Sequence, residues 1–156
     1  MIQLDATDHR ILGVLQDDAS LSNLDLARRA AVSPATCLRR VKRLRELGVI
    51  ERQVAILSPG HLGAGLIAIV EITLERQSAE ALVAFQTLAV ARPEVQQCYQ
   101  VSPGPDFVLI IQVPDMAAYH QLVQTFYGAD NNVRNVKAFF SVHRAKFAPR
   151  LQLPAG

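Results

Sequence analysis

In the first third of the chain, apolar residues recur at helical spacing. Ile11, Leu12 and Leu15 share one face of a helix expected from about Asp5 or Thr7 to Gln16. A second helix is expected from Ser22-Asn23-Leu24-Asp25 to Ala30. Its start resembles a capping box, with a hydroxyl at the N-cap and a carboxylate three residues on. Ala31-Val32 form a short turn. Ser33-Pro34 then open a third helix, with the serine as N-cap and the proline where its missing N–H costs little. Gly48 ends it. From Val49 to Leu57 the pattern becomes extended, and Ser58-Pro59-Gly60, Gly63 and Gly65 break the chain.

The second half alternates strand and helix. Leu66–Arg76 is β-branched and apolar, with Val70, Ile72 and Leu74 on one face. Ser78–Arg92 is helical with Leu82, Phe85 and Leu88 inward, and Pro93 stops it. Val95–Val101 reads as a strand, followed by the turn Ser102-Pro103-Gly104-Pro105. Phe107–Val113 is nearly continuous in apolar residues, as a buried strand would be. Asp115 caps a helix carrying Met116, Tyr119, Leu122, Val123 and Phe126. In the last strand Val136, Ala138, Phe140 and Val142 alternate with Lys137, Phe139, Ser141 and His143. The order βαββαβ is the ferredoxin-like arrangement. The fold class is therefore α+β. An N-terminal helix-turn-helix domain is expected over 1–50, a hinge strand and linker over 51–64, the βαββαβ domain over 65–148, and a frayed tail over 149–156.

Bulk composition adds limits. The chain has 156 residues, half of them hydrophobic and 19% charged, which is ordinary for a folded protein of one or two domains. No apolar run reaches the roughly 18 residues of a membrane span. The first residues lack the basic and apolar regions of a signal peptide. Cys37 and Cys98 lie far apart and form no metal-ligand pair, so a reducing cytoplasm with two free thiols is the expected setting.

The net charge of +2 is uninformative until its location is considered. The third helix carries Arg39, Arg40, Lys42, Arg43 and Arg45. On a helical wheel Leu38, Val41 and Leu44 form its core face, with Cys37 at the edge, and Thr36, Arg39 and Arg43 lie opposite. A helix-turn-helix places its second helix in the major groove, N-terminal residues nearest the base edges. Ser33 caps that start. Ala35, Thr36, Arg39 and Arg40 are then placed for bases, and Lys42, Arg43 and Arg45 for phosphate. The bland alternative is a solvated basic face. The preceding helix, the short turn and the Ser-Pro start weigh against it. Double-stranded DNA is the expected partner.

At this point the chain resembles the Lrp/AsnC (leucine-responsive regulatory protein) family of transcriptional regulators. The matching residues are Leu4-Asp5-x-x-Asp8-x-x-Ile11-Leu12, Ser22-Asn23-x-x-Leu26-Ala27, and Ser33-Pro34-x-x-Cys37-Leu38-Arg39-Arg40-Val41-x-Arg43-Leu44, then Gly48-Val49-Ile50. Val70–Leu74, Cys98-Tyr99-x-Val101-Ser102 and Val113-Pro114-Asp115-Met116-x-x-Tyr119 extend the match to about Phe147. The resemblance implies a winged helix-turn-helix and a C-terminal RAM domain that senses effectors and drives oligomerisation. It implies that the Val49–Leu57 strand pairs with its twin in a dimer, that dimers assemble further, often to octamers, and that amino acids bind at interfaces between dimers. The family's turn after Val-Ser corresponds to Pro103–Phe107, where Asp106 matches the family aspartate and Phe107 replaces a tyrosine. Tyr99, Ser102, Gly104, Asp106 and Phe107 are the implied effector residues, with Phe139 and Ser141 able to complete the pocket. Pro103 and Pro105 lack N–H donors and depart from the family pattern. The competing view is that Asp106 only caps the turn and Phe139 is interface packing.

Nothing points to an enzyme, a cofactor or a metal. His9, His61, His120 and His143 have no ligand spacing, and no phosphate-cradling or nucleophile-elbow motif is present. Cys37 reads as a small apolar residue at the core edge rather than a nucleophile. Three functions remain open: an effector-responsive regulator of amino-acid metabolism or transport genes, an architectural DNA-binding protein that senses nothing, and an amino-acid-binding regulatory subunit.

Overall fold

Short helices need caps more than longer ones do, and each of the first three has one. α1 (Ala6–Asp17) begins with a reciprocal capping box in which the Asp5 carboxylate accepts from Asp8 N and the Asp8 carboxylate from Asp5 N. α2 (Asn23–Arg29) starts at Ser22, whose hydroxyl accepts from Asp25 N. α3 (Pro34–Glu46) starts at Ser33, whose hydroxyl accepts from Thr36 N. The chain is described here from a computed structural model covering residues 2–63, 65–128 and 132–153.

α2 and α3 end in the same way. Gly48 follows α3 at φ +69°, with Gly48 N donating to Arg45 O and Val49 N to Leu44 O. Ala31 takes the equivalent place after α2 at φ +54°, with Ala31 N donating to Arg28 O and Val32 N to Ala27 O. This second cap is the helix-turn-helix turn, and a residue with a Cβ occupies its left-handed position. Ile11, Leu12, Leu26, Ala27, Ala30, Cys37, Val41 and Leu44 form the core beneath the three helices.

The sequence wheel for α3 needs correction. Cys37, not Leu38, is at the centre of the buried face with Val41 and Leu44, while Leu38 is 62% exposed. A shift of one residue turns the helix by about 100°. Both residues are small enough and apolar enough for either choice to look acceptable on paper.

A four-stranded antiparallel sheet with order β2-β3-β1-β4 organises the second half. Its strands are β1 (Leu66–Leu74), β2 (Val95–Gln100), β3 (Phe107–Val113) and β4 (Val133–Phe140), with α4 (Ala79–Val90) and α5 (Met116–Phe126) in the crossovers. One sheet face is covered by both helices. Ala68, Val70, Ile72 and Leu74 meet Phe107, Leu109, Ile111 and Val113 there, and the Phe85 ring lies 4.9 Å from Phe107 and 5.7 Å from Phe126. The other face keeps Ile69, Tyr99 and Phe139 exposed. Met116, in period with Tyr119, Leu122 and Phe126 on α5, is also exposed.

Two compact units result, Leu57–Ala145 and Met1–Ile56 with Lys146–Gly156. The sequence predicts a tail frayed from Pro149. Instead Leu151 lies along α1, where its N–H donates to Gln16 Oε1 (2.7 Å) and its carbonyl accepts from Gln16 Nε2 (3.2 Å). Arg150 pairs with Asp17, and Leu153 packs against the helical core. Tail periodicity could not announce this, because one side chain 135 positions away supplies both backbone partners. Pro154, Ala155 and Gly156 lie outside the described residues. Residues 49–57, expected as a hinge strand, form no strand in this chain. Val54, Ile56 and Leu57 are exposed there.

Left-handed backbone costs a non-glycine residue about 1–2 kcal/mol. Ala31→Gly removes that cost and adds a smaller entropy loss on folding. The variant is expected to gain roughly 0.5–1 kcal/mol, read as a higher urea midpoint with unchanged slope.

Candidate functional site

Asp8 lies on the apolar stripe of α1 with Ile11 and Leu12 and is 1% exposed. A buried carboxylate needs charged or hydrogen-bonding partners, and α3 supplies them. Arg40 Nη1 donates to Asp8 Oδ1 at 3.1 Å and to Asp5 Oδ2 at 2.6 Å. Arg43 Nη1 donates to Asp8 Oδ2 at 3.1 Å, and its Nη2 reaches Gln3 O at 3.4 Å. The Asp8 backbone N–H and the Arg40 guanidinium, in that order, hold the Asp5 carboxyl below its ordinary range. The same pairing reinforces the charge on Arg40. The capping box of α1 thus doubles as an anchor for α3.

Of the sequence-selected cations, Arg40 and Arg43 are therefore committed within the chain. They do not stand free opposite the core, as the wheel suggested. Arg39, Lys42 and Arg45 are exposed. Lys42 has only a long contact to Glu46, at 3.8 Å and on an exposed surface, and Arg45 Nη2 donates to Gln53 Oε1 at 2.5 Å. Ser33 and Ala35 are exposed and Thr36 half-buried at the helix start. Further polar ties hold the three helices in place. Asn23 Nδ2 donates to Pro34 O, joining the starts of α2 and α3, and Arg10 Nε donates to Ala30 O at the turn. Sequence reasoning missed Asp5, Asp8, Arg10 and Asn23. Asp8 could have been found, since a carboxylate three residues before Ile11 sits on a stripe meant for burial.

Burial raises the Cys37 and Cys98 thiols, which keeps both protonated at neutral pH. Cys37 is fully enclosed, which suits packing and not nucleophilic attack.

The residues expected around an effector do not form one group. Tyr99, Ser102 and Gly104 are exposed along β2 and its turn, with Gly104 at φ +120° and Tyr99 Oη donating to Gln97 Oε1. Asp106 is buried and occupied. Its Oδ2 accepts from Leu74 N at 2.6 Å, its N–H donates to Ile72 O, and its carbonyl accepts from Val101 N. Asp106 thus ties the turn to the end of β1. Phe107 is fully buried on the helix-covered face. It cannot line a surface pocket, because its position in β3 points it to the opposite side from Val108 and Ile110. Phe139 is on the open face but on β4, and Ser141 follows that strand, its N–H donating to Ile67 O. β3 and β1 separate β4 from β2, about 14 Å at the usual strand spacing. One chain does not unite Phe139 and Ser141 with Tyr99.

Comparison with known proteins adds two family matches. Residues 4–51 match the winged helix-turn-helix DNA-binding family, and residues 67–151 match the Lrp/AsnC ligand-binding domain. The leucine-responsive regulatory protein of Escherichia coli K12 is 36% identical over 148 residues, covering 95% of this chain and 90% of its own length. A Neisseria meningitidis transcriptional regulator solved with L-Met superposes at TM-score 0.88, with 32% identity and coverage of 97% of this chain and 98% of that one. An AsnC-family regulator from Agrobacterium tumefaciens gives TM-score 0.87 at 32% identity, covering 96% and 97%.

Removing a partner from a buried ion pair costs about 3–5 kcal/mol, less where the freed cations reach water. Arg40 and Arg43 side chains are 24% and 43% exposed. Asp8→Ala is therefore expected to destabilise the helical unit by about 2–3 kcal/mol in urea unfolding. A double-mutant cycle with Arg40→Ala should return a coupling well above the exposed-pair range. Additive losses would show that the network holds nothing together.

Proposed function

The chain belongs to the Lrp/AsnC family of transcriptional regulators, and from that premise we propose that the exposed face of α3 reads duplex DNA and that a small amino acid controls this binding. The family consists of DNA-binding regulators with a ligand-binding domain, not enzymes. The observation that carries the α3 assignment is the division of its cations. Arg40 and Arg43 are held by Asp5 and Asp8, which sets the helix on its support. Arg39, Lys42 and Arg45 are exposed and make no ion pair with Asp5 or Asp8, whereas Arg43, though exposed too, is paired with Asp8. Ala35, Thr36 and Arg39 then take the base edges, and Lys42 and Arg45 the phosphates. Ser33 and the Ala35 N–H at the start of the helix add a phosphate contact. Arg40 and Arg43 become positioning residues.

The amino-acid assignment draws on the matching ligand-binding domain and on the Neisseria regulator solved with L-Met. The candidate contacts are Tyr99, Ser102 and Gly104 at the β2–β3 turn. Phe139 and Ser141 would have to come from a neighbouring chain, which fits a ligand held between subunits. Self-association as a dimer and larger assembly is expected through the open sheet face of Ile69, Tyr99 and Phe139, aided by the exposed 51–57 stretch. Genes of amino-acid metabolism or transport, read in the cytoplasm, are the proposed targets. A second reading, architectural DNA binding without an effector, is favoured by one feature. The Asp106 carboxylate is already used by Leu74 N, and Pro103 and Pro105 offer no N–H.

Gel shifts test the DNA assignment. Arg39→Ala should weaken binding by about 1–3 kcal/mol and relax preference at one base position, and Lys42→Ala should lower the salt slope by about one. Affinity indifferent to salt would overturn it. Thermal-shift titration with each of the common amino acids tests the effector. A ligand at about 100 times its Kd stabilises by about 2.7 kcal/mol. No shift with any of them at millimolar concentration decides for the architectural reading.

A further inference from the structure

An exposed leucine needs a reason when it sits among cations on a surface meant for DNA. Leu38 is 62% exposed, whereas Cys37 beside it is fully buried. At helical spacing Leu38 is adjacent to Ala35 one turn earlier and to Lys42 one turn later, and Arg39 is next to it. All three neighbours are exposed. Five positions separate it from the Ser33 cap, within the half of the helix that lies nearest the bases.

We propose that Leu38 is a specificity-determining residue that reads the C5-methyl group of thymine in the major groove. The inference rests on the α3 assignment above. A leucine side chain has no donor or acceptor, so in the groove it can be satisfied only by an apolar contact, and the thymine methyl is the apolar group displayed there. Opposite cytosine or guanine it would cover polar edges without offering a hydrogen bond, which disfavours those bases. Charge complementarity from Arg39, Lys42 and Arg45 brings this face to a polyanion. Leu38 then discriminates where the cations cannot.

The probe is a duplex enriched from a random pool by the full-length protein. Each thymine is replaced singly by deoxyuridine, which removes only the methyl. For the wild-type protein, one or two positions in each half-site should weaken binding about three- to fourfold, the worth of one buried methyl-sized group. Leu38→Ala should bind the thymine duplex more weakly and lose the thymine–deoxyuridine difference at those same positions. Leu38→Met should keep it. Leu38 is exposed, so the variant is expected to melt like the wild type, and a thermal scan verifies this. An enriched site without thymine in the contacted half-site overturns the proposal. So does a thymine–deoxyuridine ratio unchanged by Leu38→Ala, including the case in which that variant alters only the oligomer mass because Leu38 meets another subunit. Failure to enrich any duplex would instead remove the α3 assignment itself.

Discussion

Everything that α3 presents to the outside depends on how it is held from beneath. Asp8 is an ionisable group on the buried stripe of α1, and its two oxygens accept from Arg40, Arg43 and the Asp5 N–H. The same Asp5 caps α1 and also receives Arg40. Start of α1 and middle of α3 are thereby one electrostatic unit. An apolar contact would tolerate small rotations of α3 about its axis. Guanidinium–carboxylate pairs have directional geometry and penalise them. That matters because a rotation of one residue's worth would exchange Leu38 for Cys37 on the surface.

The second unit follows a different logic. Its helices cover one sheet face and leave the other open, so burial decides which side chains lie at the surface. Phe107 falls on the covered side and packs in the core, although its neighbours in sequence border the turn. Asp106 is likewise drawn into structure, its carboxylate satisfying the Leu74 N–H. Asp106 therefore serves the turn before its carboxylate is available to any ligand.

Much of the architecture was legible beforehand. β3 runs from Phe107 to Val113 as read from its apolar run, and α5 starts after Asp115 as its cap indicates. The last strand was expected from Val136 and begins at Val133, because cross-strand pairing with Leu74, not its own alternation, sets that end. The candidate DNA site was legible in location and not in membership. The cation cluster marks α3, but which cations are paired depends on carboxylates 32 to 35 positions earlier in the chain.

The sequence by itself determined the order and kind of elements, the caps at Ser22, Ser33 and Asp115, and the family. These are properties of neighbouring residues, and periodicity and capping are local. Only the tertiary structure decided that Arg40 and Arg43 are anchors, that Leu38 faces outward, that Phe107 faces inward, and that Leu151 is clasped by Gln16. Each of these depends on a partner far along the chain or on a helix phase that a wheel cannot resolve to one residue. The sequence showed where the charge is concentrated. Packing determined which part of it remains to act.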